Sequence, residues 1–319
     1  MSVVDQIASE YAALTESAAV VRRAQPGVLA LTGDDAAEFL QGQVTNDVEA
    51  LQPGDGHYAA LLTPKGKMRA DMRVLRTAET LLVVADAGQL PVIRHTIDTF
   101  RIGYFFTTED RSEGAALASV IGPRADEFTS ALGDLPADTE AAIAEFEFHG
   151  EPLVAIRTQL GIDLLGMAGA VDKAIKALTE AGVVVASEDA AQIIRVEHAI
   201  PSFGAELDEN TIPGEAGLNE RAVNFEKGCY VGQETVARMH YKGKPNRVLR
   251  LLRAGAPLQA GAAVTASDGR ELGQIGTAVE SPAQGAIALA VLRREAESGT
   301  KVDAGGVAAS VLDVDSFRS

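Results

Sequence analysis

An internal echo most limits what this chain can fold into. Thr32-Gly33-Asp34-Asp35-Ala36-Ala37-Glu38-Phe39 returns as Ile121-Gly122-Pro123-Arg124-Ala125-Asp126-Glu127-Phe128, with four of eight positions shared at a constant offset of 89. Each copy joins an apolar, strand-like run to a helical spacing through a Gly corner. After the first copy, 57–85 reads as strands and Leu90 to Phe100 as a helix. After the second, strand-like segments near 143–148, 153–158 and 161–165 lead to a helix from Val171 to Ala181. Ala87-Gly88 and Ala168-Gly169 stand before the two closing helices. Duplication and two unrelated strand–turn–helix corners both produce such a match; agreement in order and spacing favours duplication. Strand, helix, strands, helix is the order of a ferredoxin-like α+β layer, here used twice.

Residues 3–23 read as a helix, with Val3, Ile7, Tyr11 and Leu14 at helical spacing and Pro26-Gly27 as its stop. Val28 to Leu31 is a short strand, and Gly33-Asp34-Asp35 opens a helix whose first amides an Asp side chain caps. From Lys67 to Leu75 alternation is clean: Met68, Ala70, Met72 and Val74 face one way, Arg69, Asp71 and Arg73 the other. Ser187 to Ala199 is a further helix. From Val248 onward short strands alternate with Gly-rich turns, the mark of a small β-barrel or sandwich.

The length of 319 residues, 46% of them apolar, suits two or three domains. A net charge of −17 opposes direct binding to nucleic acid or to anionic membranes. An anionic ligand must instead meet a local basic stretch, and Arg238, His240, Lys242, Lys244, Arg247, Arg250 and Arg253 form one. A single cysteine allows no internal disulfide, no run reaches the roughly 18 apolar residues of a membrane span, and no leader pattern opens the chain, so a cytoplasmic protein is expected.

Three strings carry chemistry. In Lys227-Gly228-Cys229-Tyr230-Val231-Gly232-Gln233-Glu234 the sole thiol sits between glycines that allow a tight bend, ahead of a helix from Gln233. A helix N-terminus and the Lys227 ammonium both favour thiolate; a buried Cys acting as a small hydrophobe is the alternative. One thiolate and five scattered His supply no metal ligand set. The second string runs from Arg195-Val196-Glu197 through Phe203, Glu206 and Glu209 to Glu215. Its carboxylates and Phe203 suit a heteroaromatic ring with an amidine-like edge, or form a solvated acidic loop. Third, Pro64-Lys65-Gly66-Lys67 reads as a hairpin turn, with Asp71 beyond it either functional or part of a charge ladder with Arg69 and Arg73.

Lys227-Gly228-Cys229-Tyr230-x-Gly232-Gln233-Glu234, followed by Val236-Ala237-Arg238-Met239, resembles the cysteine signature of the YgfZ family. Ala37-Glu38-Phe39-Leu40-Gln41-Gly42-Gln43-Val44-Thr45-Asn46-Asp47 and Pro64-Lys65-Gly66-Lys67-Met68 resemble its N-terminal motif and early hairpin. The resemblance implies an α+β fold shared with the glycine-cleavage aminomethyltransferase: two ferredoxin-like modules and a C-terminal β-barrel around a central tetrahydrofolate cavity. The expected division is 1–110 for module one, completed by 188–245, then 111–187 for module two and 246–319 for the barrel. The resemblance further implies a role in iron–sulfur cluster assembly or repair, and thereby tRNA modification, with iron–sulfur enzymes or assembly factors as partners.

By the same resemblance Cys229, Lys227 and Asp71 carry any chemistry, while Glu197, Phe203, Glu209, Arg247, Tyr230, Gly228, Gly232, Gln233 and Glu234 hold the folate. Glu197, Glu209 and Asp71 fall on the pterin side, and Arg247 meets the glutamate tail. Glu206-Leu207-Asp208-Glu209, Pro213-x-Glu215-Ala216-Gly217-Leu218 and Asp71 resemble the aminomethyltransferase version. Phe203 and Leu75 stand where those enzymes have Tyr. The second expectation is therefore a folate-dependent aminomethyltransferase acting on a lipoyl carrier protein.

Overall fold

A computed structural model describes residues 3–314. In chain order it forms α1 (Val3–Glu16), β1 (Ala19–Arg22), β2 (Pro26–Thr32), α2 (Ala36–Gln43), β3 (Gly56–Leu62), β4 (Met68–Arg76), β5 (Leu81–Asp86), α3 (Leu90–Phe100), β6 (Thr107–Asp110), β7 (Ala115–Ile121) and α4 (Ala125–Thr129). There follow β8 (Ile143–Phe148), β9 (Glu151–Thr158), β10 (Gly161–Met167), α5 (Ala168–Glu180), β11 (Val184–Val185), α6 (Glu188–Glu197), α7 (Asn219–Ala222) and α8 (Gln233–Lys242). The last six strands are β12 (Arg247–Ala254), β13 (Ala263–Thr265), β14 (Glu271–Ser281), β15 (Gly285–Arg293), β16 (Lys301–Ala304) and β17 (Val307–Leu312). The chain divides into two compact units. One comprises Met1–Leu62, Arg69–Ala191 and Arg221–Val231; the other comprises Thr63–Met68, Gln192–Glu220 and Gly232–Ser319.

The first unit holds two sheets, ordered β3-β4-β5-β2-β6 and β11-β1-β7-β10-β9-β8. Strand β2 is apolar without alternation because both of its faces are covered. Leu29 and Leu31 pack with Phe39, Leu40 and Ile93 of α2 and α3, while Val28 and Ala30 pack with Leu75, Ile143 and Ile156. Burying each large side chain of this kind stabilises by about 1.5–3 kcal/mol. Strand β4 alternates as its sequence does: Ala70, Met72 and Val74 lie in the core, and Arg69, Asp71 and Arg73 are only partly covered.

The two echoing corners have the same physics. Gly33 (φ 139) leads into α2 and Gly122 (φ 127) into α4. A Cβ at Gly33 would lie 2.7 Å from the Phe105 carbonyl oxygen, and one at Gly122 would lie 2.6 Å from that of Ser17. Both conformation and space therefore demand glycine. The expected Asp cap on α2 is absent: Asp35 Oδ2 instead accepts from the Phe105 amide at 2.6 Å.

The opening segment departs from the sequence reading. α1 stops at Glu16, and Ala19–Arg22 is a strand bonded to β7 and β11. Pro26-Gly27, read as a helix stop, begins β2. The run Ala18-Ala19-Val20-Val21 is fully buried, and tertiary pairing overrides the helical spacing before it. The opening strand thus belongs to the second sheet, so a cut at residue 110 does not separate the strands.

In the second unit the glycine-punctuated tail closes into a six-stranded barrel, ordered β12-β15-β14-β13-β16-β17. Leu252, Val264, Ile275, Ala288 and Leu292 share its main apolar cluster. Leu249, Leu251, Ile287 and Leu289 from the same strands pack with Val196 and Ala199, at the end of and just beyond α6. The fold is α+β with a closed C-terminal barrel. No helix among the described residues is long and apolar enough to cross a membrane.

Candidate functional site

Two strings far apart in sequence meet in the first unit. The Nζ of Lys227 donates to the carbonyl oxygens of Gln41 (2.7 Å), Val44 (2.8 Å) and Asn46 (2.7 Å). Gln41 and Val44 lie where α2 ends, among carbonyls that a helix terminus leaves without intrahelical partners and that favour a cation. The junction is reinforced by backbone bonds from Asn224 N to Thr45 O (3.0 Å) and from Val231 N to Gly42 O (3.3 Å). Asn224 Oδ1 also accepts from the amides of Glu226 (2.8 Å) and Lys227 (3.0 Å). Burial pulls the Lys227 ammonium down to about 8, opposed by the charges of Asp47 and Glu49.

These contacts give Lys227 a positioning role beside the charge that the sequence reading assigned to it. An ammonium has three N–H donors, and all three point at backbone carbonyls, so none is left to hydrogen-bond the thiol. Lys227 is a clamp, and what it clamps is the loop that presents Cys229. That thiol is free and exposed, which removes the reading of a buried hydrophobe. Gly228 beside it is exposed as well. Tyr230 is buried, with its ring centroid 5.2 Å from Lys227 Nζ and its hydroxyl pushed up to about 12 by burial. It therefore covers the clamp rather than offering an open face to a ligand. Gly232 (φ 86) turns the chain into α8, which begins four residues after Cys229 in sequence.

Asp71 forms a second cluster in this unit. Its Oδ2 accepts from the Tyr58 hydroxyl at 2.5 Å and its Oδ1 from Gln89 Nε2 at 2.7 Å, while its own amide donates to Gln89 Oε1 at 2.7 Å. The Arg221 guanidinium lies 4.8 Å from the Tyr58 ring centroid and pairs with Glu140 at 3.0 Å. Burial, then the charge of Asp71, holds the Tyr58 hydroxyl well above its ordinary range, so it remains a donor. The charge-ladder alternative fails, because Arg73 pairs with Asp163 at 2.6 Å instead. The outcome is a half-buried carboxylate of fixed orientation. Each of its oxygens retains capacity for a further hydrogen bond, the requirement for receiving a ligand N–H. Tyr58, Gln89 and Arg221 were not marked by sequence, since three separate segments supply them.

In the second unit Arg195 and Glu206 form a buried ion pair at 2.9 Å. Arg195 also donates to Thr277 Oγ1 (2.5 Å), the Ile200 carbonyl (2.6 Å) and Gln192 Oε1 (2.7 Å). That set is structural. Glu197 is buried and accepts from the Ser281 hydroxyl. Burial raises the Glu215 carboxyl, opposed by the Ile212 amide at 3.2 Å and by the charges of Arg247 and Lys67. The hairpin turn ends with Lys67 Nζ 3.5 Å from Asn210 Oδ1. Phe203 and Gln233 are half-buried, and Glu209, Glu234 and Arg247 are exposed.

Taken one unit at a time, the oriented Asp71 carboxylate of the first, and the half-buried Phe203 ring and exposed Arg247 guanidinium of the second, are of the kinds that a reduced folate engages. No group of three or more His, Cys, Asp or Glu among the described residues could hold a metal ion.

Comparison with known proteins agrees with this architecture. The GCVT N-terminal domain model matches residues 1–227 and the CAF17 C-terminal beta-barrel domain model residues 246–318. An aminomethyltransferase of Synechococcus sp. is 28% identical over 299 residues, covering 90% of this chain and 82% of its own. A tRNA-modifying protein YgfZ of Vibrio vulnificus is 30% identical over 227 residues, covering 70% of this chain and 66% of its own. The solved structure of glycine cleavage system aminomethyltransferase T from Bartonella henselae superposes with a TM-score of 0.84 at 20% identity, covering 96% of this chain and 88% of that one. The chain belongs to the YgfZ family, a GCVT-type N-terminal region joined to a CAF17-type barrel.

Proposed function

We propose that this protein binds tetrahydrofolate in the cytoplasm and, through Cys229, serves the assembly or repair of iron–sulfur enzymes, including those that modify tRNA. The observation that carries the reading is a sole, exposed thiol on a loop held by a buried ammonium. A thiol kept in place without being covered suits transient contact with a client protein or cluster. In this reading Asp71, Glu197 and Glu209 take the pterin edge, Phe203 its face and Arg247 the glutamate carboxylates. Bound folate would supply a ring nitrogen able to carry a one-carbon unit. The relative named as a tRNA-modifying protein supports the same direction.

The test is rescue by Cys229→Ala in cells lacking their own copy of the protein. Iron–sulfur enzyme activity should stay low with the variant and recover with the parent; equal recovery would refute a role for the thiol. The Asp71 cluster favours one second reading, a folate-dependent aminomethyltransferase using a lipoyl carrier protein. Aminomethylated carrier plus tetrahydrofolate should then yield methylene-tetrahydrofolate, and absence of product rejects it.

A further inference from the structure

We infer that Arg221 is a positioning residue of the candidate site: its guanidinium, seated on the Tyr58 ring, strengthens the hydrogen bond by which the Tyr58 hydroxyl holds the Asp71 carboxylate for a pterin edge. The role rests on the folate reading above. The ion pair of Arg221 is with Glu140, not with Asp71. Its guanidinium carbon lies 4.8 Å from the Tyr58 ring centroid, inside the roughly 6 Å reach of a cation–π contact. Nε and Nη2 donate to the two oxygens of Glu140, which fixes the plane of the fork. Burial works against the charge, and the bonds and charge of Glu140 outweigh it, holding Arg221 above the ordinary guanidinium range.

The backbone sets the same register. One side-chain amide, Asn46 Nδ2, donates to the Tyr58 carbonyl at 3.0 Å and to the Arg221 carbonyl at 3.1 Å. The Thr45 hydroxyl donates to the Ala222 carbonyl and accepts from the Ala60 amide at 2.9 Å. Two side chains of the α2–β3 connection thus tie Arg221 and Ala222 to β3, at Tyr58 and at Ala60.

A cation on the face of a phenol draws charge from the ring, makes the hydroxyl proton more positive and so improves it as a donor. The acceptor here is a carboxylate, so a better donor gives a shorter and stiffer bond. The charges around Tyr58 act accordingly: burial and then Asp71 raise its hydroxyl, Arg221 lowers it, and Glu140 raises it. The placement also leaves the carboxylate open. An arginine paired directly with Asp71 would occupy both of its oxygens. Neutral donors hold them instead, Tyr58 at 2.5 Å and Gln89 at 2.7 Å, and the cation acts from the ring face. The flanking arginines are engaged elsewhere, Arg69 with Thr96 (3.1 Å) and Arg73 with Asp163 (2.6 Å).

The experiment is calorimetric titration of tetrahydrofolate into the full chain, into Arg221→Met and Arg221→Lys, and into Tyr58→Phe with and without Arg221→Met. Tyrosine isotopically labelled at Cζ reports on the Tyr58 hydroxyl by NMR, with Tyr58→Phe assigning its signal among the five tyrosines. Expected is about fivefold weaker binding by Arg221→Met, most of it recovered in Arg221→Lys, with no further loss when Arg221→Met is added to Tyr58→Phe. The Tyr58 Cζ signal should move in Arg221→Met and stay near that of the parent in Arg221→Lys. Equal affinity of parent and Arg221→Met, no recovery in Arg221→Lys, a loss that persists in the Tyr58→Phe background, or an unmoved Cζ signal overturns the inference. The Arg221–Glu140 pair is then a structural tie, and the folate reading stands. Should Arg221→Met not fold, Arg221→Gln takes its place. If no form binds tetrahydrofolate, the folate reading fails, and the Cζ signal alone decides whether Arg221 acts on Tyr58.

Discussion

Lys227 and the basic cleft of the barrel, with Lys244, Arg247, Arg293 and Arg294 in its lining, are two ways of holding positive charge in an acidic protein. Lys227 is 8% exposed and all its donors end on carbonyl oxygens. The cleft cations are exposed, two of them face each other across a ladder, and none has an ion-pair partner among the described residues. A cation with every donor satisfied internally holds the fold together. A cation exposed to water beside its own kind adds nothing to the fold, and like charges directly opposite each other on a ladder destabilise it. The Lys227 string drew notice in the sequence for its cysteine, and of the cleft residues only Lys244 and Arg247 lie in the basic stretch read there; Arg293 and Arg294 were not marked.

The largest expected effect lies on the scaffold side. Lys227→Met keeps the length of the side chain and leaves one buried and two part-buried carbonyls without this donor, costing about 3 kcal/mol. Denaturant unfolding measures it; a loss below about 1 kcal/mol would mean that water replaces the ammonium and that the loop is not clamped. The pH dependence is smaller. With a folded value of about 8 against an ordinary 10.5, the folded chain releases this proton before the unfolded chain does. Between those values the unfolded state binds more protons, so the contribution of Lys227 to stability rises with pH through the window and is least below 8. Parent and Lys227→Met should therefore diverge between pH 8 and 10.5; parallel curves contradict the depressed value. Smallest is Arg293→Gln, which relieves the like-charge pair and should leave stability unchanged or raise it by up to about 0.5 kcal/mol. A destabilisation of 1 kcal/mol or more would place Arg293 on the scaffold side and dissolve the contrast.

Much of the fold was legible in the sequence where one physical rule acts alone. The alternation of β4, the glycine corners at Gly33 and Gly122, and the turn-punctuated barrel strands all read correctly. β1 did not, because Ala19–Arg22 follows a helical spacing with no turn signal and is fixed only by β7 and β11. The sequence singled out Cys229 and Asp71 as chemically interesting but left the exposure of one and the partners of the other open. Tyr58, Gln89 and Arg221 come from separate segments, and the acceptors of Lys227 are backbone oxygens, which carry no residue signature. The sequence placed Lys227 near the thiol, but could not show that its ammonium is bonded to the carbonyls at the end of α2.

Tetrahydrofolate titrated into the purified chain, beside Asp71→Asn, bears most directly on whether this fold is a folate receptor. Saturable one-to-one binding should be seen, at least about tenfold weaker once the carboxylate becomes an amide. A flat titration with the folded parent, or equal binding by both forms, would mean that the oriented carboxylate of Asp71 serves the fold and not a pterin.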